Sequence, residues 1–159
     1  MDISNAISLT GTKIVGVLLF YDSSNFLIYG YQDSTTGRGV LLALSSSFNI
    51  LYNNKPIATS NKLTGAASDG TGNAYFAGSL GNPLKGSYLL KYEETTWTIQ
   101  WQKSFSHSTS TGIIEHNLNF HATISEVAFV VRHDITEWSA GGYDFLFLSV
   151  DAATGSSIT

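Results

Sequence analysis

Four histidines, His107, His116, His121 and His133, are the side chains of this chain best suited to hold a metal or pass a proton. His133 is followed directly by Asp134, and His116 and His121 stand a short step apart. Neither arrangement matches a specific zinc motif, so surface or hydrogen-bonding roles are expected and no metal is assigned. The run Asp69-Gly70-Thr71-Gly72-Asn73 resembles a calcium loop, but it lacks the alternating acidic ligands and distal Glu that such a loop supplies. It reads instead as a tight hairpin turn. Glu93-Glu94, Glu115, Glu126 and Glu137 offer carboxylates for acid–base work, yet no spacing selects a pair of them. No Gly-x-Ser-x-Gly elbow occurs, and no Gly-rich phosphate loop opens a helix. The chain is read as a non-enzyme with no cofactor.

The aromatic residues point to binding rather than catalysis. A sugar ring stacks on an exposed indole face, which makes Trp97, Trp101 and Trp138 candidates for a glycan site. Trp97 and Trp101 flank the start of an outer strand and share a face if that strand is regular. The competing expectation is structural: Trp101 packs between sheets and Trp97 covers a hairpin. Trp138 lies in the polar loop from Asp134 to Gly142.

The elements that carry these residues are strands. No segment holds a helical apolar stripe for three turns, whereas short apolar or β-branched runs alternate with Gly, Asn, Asp and Ser clusters. The pattern of strand, turn and further strands recurs about three times, over 12–56, 57–106 and 107–159. Asn-x4-Gly is kept from Asn25 to Gly30 and from Asn73 to Gly78. In the second copy, Ile99, Trp101, Lys103 and Phe105 alternate with Gln100, Gln102 and Ser104, as an edge strand with one wet face would. The third copy has no fourth strand, because the chain stops at Thr159. Val40 to Leu44 and Phe145 to Leu148 are apolar on consecutive residues, which implies cover on both faces. Without helices, neighbouring sheets must supply that cover. A period near ~50 residues fits blades of a β-propeller.

The chain has 159 residues, enough for one domain with a buried core. Charged residues make up only 13%, and eight basic side chains stand against twelve acidic ones, so nucleic acid is not an expected partner. There is no Cys, and the longest apolar run, Ile14 to Tyr21, is too short to span a bilayer. Met1 to Ser4 shows neither the basic start nor the apolar core of a signal peptide.

The residues Asp69, Gly72, Asn73, Tyr75, Gly78, Lys91, Tyr92 and Trp101 resemble the bacterial-type β-propeller repeat known as SBBP. Asp22, Asn25, Tyr29 and Gly30, with the Leu41-to-Leu44 strand, carry the likeness in the first copy. Tyr143 to Leu146, with Asp151 and Gly155, carry it in the third. The resemblance implies surface or exported proteins, commonly adhesive, and brings no catalytic residues.

The expected fold is all-β, a propeller-like array of about three four-stranded antiparallel blades, incomplete or closed by another chain. The expected function is a structural or adhesive extracellular or cell-surface module that assembles by strand or blade pairing, as in a filament subunit. The alternatives are a carbohydrate-binding module and a fragment of a propeller enzyme. Expected partners are further blades of a longer chain, other copies of itself, or glycans. Ile3, Ile7 and Leu9, as a donated strand, and Ile158, at the open end, are the assembly candidates.

Overall fold

The computed structural model describes residues 12–19, 25–32, 38–54, 61–80, 86–106, 114–134 and 143–158. Every regular element among them is a strand: β1 (Thr12–Leu19), β2 (Asn25–Gln32), β3 (Arg38–Ser45), β4 (Ile50–Asn54), β5 (Asn61–Ser68), β6 (Asn73–Leu80), β7 (Gly86–Glu93), β8 (Thr98–Ser106), β9 (Ile114–Ala122), β10 (Glu126–Asp134) and β11 (Tyr143–Asp151). They form three antiparallel meanders: β1-β2-β3-β4, β5-β6-β7-β8 and β9-β10-β11. The sheets take up 12–54, 61–106 and 114–151. The sheets stand face to face, with β5 against β1, β2 and β3, and β9 against β5 and β6. Among the described residues they do not close on themselves.

Two apolar cores separate the three sheets. The first joins Leu27, Leu41 and Ala43 of the first sheet to Leu63, Ala74, Phe76, Tyr88, Leu90 and Tyr92 of the second. The second joins Tyr75, Ala77 and Leu89 to Val127, Phe129, Val150 and Ala152. The second sheet is thus covered on both faces, which is why Leu89 and Leu90, neighbours in sequence, are both buried. In β3, Gly39 to Leu44 are all buried, with Leu41 and Ala43 facing the second sheet.

The Asn-x4-Gly spacing has a physical cause. Both β1 and β5 carry a bulge, at Ile14/Gly16 and at Leu63/Gly65. Each bulge drives a backbone carbonyl toward the neighbouring strand. A Cβ on Gly30 would lie 2.0 Å from the Lys13 carbonyl oxygen, and one on Gly78 would lie 1.7 Å from that of Lys62. Only a residue without a Cβ fits there. The third sheet has its irregularities in β9, opposite Val130, Val131 and Arg132.

A second repeated feature lies in the turn before each outer strand. Phe48 (φ 60°), Trp97 (φ 56°) and Gly155 (φ 68°) all adopt the left-handed conformation. Each stands two residues before the one that pairs back: Ile50 with Leu44, Ile99 with Tyr92, and Ser157 with Val150. In the third sheet this position leads to an isolated bridge rather than to a strand. Ser157 bridges Val150, and the Ile158 N–H donates to the Ser149 carbonyl at 3.0 Å. As expected from the sequence, the third sheet has no fourth strand among the described residues.

Candidate functional site

Asp69 organises the β5–β6 hairpin from within. Its carboxylate accepts from Thr71 N (2.8 Å), Thr71 Oγ1 (2.8 Å), Asn73 N (3.2 Å) and Asn73 Nδ2 (2.7 Å). Gly70 and Gly72 take left-handed φ to close the turn. Partial burial pushes the Asp69 carboxyl upward, but the donors from Thr71 and Asn73 outweigh it and hold the group below its ordinary value. The calcium-like run is thus a turn whose acidic side chain is engaged by its own loop. Asp151 plays the same part after β11. It accepts from Thr154 Oγ1 (2.8 Å), Thr154 N (2.8 Å) and Ala153 N (3.1 Å), and these bonds, aided by the Lys91 charge, lower its pKa.

Between the two turns lies an aromatic junction. Tyr75 is fully buried, and its hydroxyl donates to Asp69 Oδ2 at 3.4 Å. Burial, then the charges of Asp69 and Asp151, raise its pKa well above the usual phenol range. Lys91 Nζ stands 5.7 Å from the centre of the same ring, and the Trp101 ring packs at 6.1 Å. Trp101 Nε1 donates to the Ala152 carbonyl at 3.3 Å, tying the second sheet to the turn that follows the third. This cluster ties two sheets together, with the Tyr75 hydroxyl and the Trp101 indole N–H each donating to a partner within the fold.

The two candidate tryptophans described here lie on opposite faces of the second sheet. Trp97 packs against the first core and Trp101 against the second. The cause is a bulge: Lys91 pairs with Trp101 while Tyr92 pairs with Ile99, so Gln100 is the extra residue. One inserted residue reverses the facing of everything beyond it. Ile99 accordingly joins the first core, while Phe105 joins Trp101 at the second, against the expectation that they share a side. Trp97 and Trp101 form no common platform.

Trp138 lies outside the described residues, as do Ile3, Ile7, Leu9 and His107. Ile158 lies on the short return beside β11 and is about half exposed. His121 is exposed on β9. Among the described residues no group of three or more His, Cys, Asp or Glu could hold a metal ion, and no helix is long and apolar enough to cross a membrane.

The surface features that sequence reasoning missed are apolar. Val17, Phe48 and Ile50 on the first sheet and Phe147 on the third are more than half exposed. Phe48 stacks on Phe26 with ring centres 6.0 Å apart. The available signal was the continuous apolar run in β11, which called for cover on both faces. No protein-family model matches the chain, and no curated protein matches it.

Proposed function

We propose that this chain is a structural or adhesive module of the cell surface or extracellular space, built as a propeller-like array of blades that assembles through its open end. The observation that carries the reading is the third sheet. Among the described residues it has three strands where the other two sheets have four, with one isolated bridge between Val150 and Ser157. Among the described residues, the outer edge of β11 before Ser149 has no strand beside it. An unpaired edge accepts an added strand through main-chain hydrogen bonds. The neighbouring first strands β1, β5 and β9, with later strands stepping outward, support the blade-like arrangement. The likeness of Asp69, Asn73, Tyr75, Gly78 and Trp101 to the SBBP repeat supports the same reading.

The test is the mass of the purified chain in solution, measured by light scattering over a concentration series. Association that grows with concentration is the expected result. A compact monomer at every concentration counts against assembly.

A further inference from the structure

The three sheets share one register, so each position in one sheet has a counterpart in the others. The fifth residues of β2, β6 and β10 are Tyr29, Ala77 and Val130, and they pair with Leu41, Leu89 and Phe147. Leu41 and Leu89 are 0% exposed because each faces the following sheet. Phe147 holds the same place with no sheet beyond it among the described residues, and is 77% exposed.

The opposite end shows the complementary situation. Ala66, Trp97 and Ile99 of the second sheet pack against the first core, which lies on the side of the preceding sheet. Their counterparts in the first sheet are Val17, Phe48 and Ile50. Val17 pairs with Ile28 as Ala66 pairs with Phe76, and Ile50 pairs with Leu44 as Ile99 pairs with Tyr92. Phe48 shares the left-handed turn position of Trp97. Val17, Phe48 and Ile50 are 58%, 57% and 53% exposed around the buried Leu42 and Leu44. Large apolar groups exposed together on one face mark an interaction surface.

We infer that the Phe147 face of the third sheet docks on the Val17–Phe48–Ile50 face of the first sheet of a second copy of this chain, repeating between molecules the junction made twice within one. The occupant follows from the register: the face that covers Leu41 carries Ala66, Trp97 and Ile99, and the second copy brings their counterparts. The contact is head-to-tail, so each molecule offers one face of each kind. This rests on the assembly reading above but places the contact on the sheet faces, not on the β11 edge.

The test uses three forms of the full chain: the natural sequence, Phe147→Glu, and Val17→Glu with Ile50→Glu. The substituted residues are exposed, and circular dichroism checks that each form keeps its strand signature. The natural chain is expected to associate with rising concentration, and each variant alone is expected to stay monomeric. An equal mixture of the two variants retains one intact pair of faces and is expected to form a one-to-one dimer. Association of the natural chain undiminished in Phe147→Glu overturns the face contact and leaves edge pairing standing. Variants that are monomeric alone and remain so when mixed overturn the head-to-tail geometry. A natural chain that never associates overturns both this inference and the assembly reading.

Discussion

The second and third sheets carry corresponding residues in the same register, yet among the described residues one is sandwiched and the other is open on one side. In the second sheet Leu89 and Leu90 each meet another sheet. In the third, Leu148 packs toward the second core while Phe147 stands in solvent. Strand alternation gives both sheets the same two faces, so the difference lies in what stands beyond them. Leu89 is a core residue because the third sheet covers its face.

Substitution at the counterpart positions sharpens that contrast. Leu89→Ala, at a fully buried site, is expected to lower stability by about 2–5 kcal/mol, read from chemical denaturation. Gly78→Ala places a Cβ against the Lys62 carbonyl oxygen, and a loss of about 1–3 kcal/mol or more is expected from the same measurement. Gly30→Ala should match it, because its neighbour is the Lys13 carbonyl oxygen. A neutral effect at either glycine would show that the bulge yields freely.

Asp69→Ala removes the five hydrogen bonds that the Asp69 carboxylate accepts. It is expected to cost on the order of 1–3 kcal/mol, in line with charged hydrogen bonds. Acid titration tests the same group without mutation. Its folded pKa is depressed, so its contribution is complete above the unfolded carboxylate value and is lost as pH falls through the folded one. Thermal melts of natural and Asp69→Ala chains should therefore converge as the solution is acidified below about pH 4. The smallest effect is expected at Phe147. In dilute monomer, Phe147→Ala should change stability by no more than about 0.5 kcal/mol. A loss as large as that of Leu89→Ala would show that the face is already covered.

Much of this was legible in the chain itself. The three repeats, the hairpin turns and the strand identities follow from residue types, because turn chemistry and apolar runs act locally. Asn-x4-Gly was readable as a repeat mark, although its cause, a bulged carbonyl of the neighbouring strand, was not. Trp97 and Trp101 would share a face only on a regular strand, and the insertion at Gln100 that parts them breaks no composition rule. It appears only in the pairing with Lys91 and Tyr92.

The sequence by itself determined that the chain builds short antiparallel strands, where they turn, and that β3, β7 and β11 are apolar on both faces. Those properties depend on backbone preference and side-chain polarity, residue by residue. Only the tertiary structure decided which faces meet, that the second sheet is the covered one, and that Phe147, Val17, Phe48 and Ile50 remain exposed. Burial is a relation between strands distant in sequence, fixed by sheet register and stacking rather than by any one residue's nature.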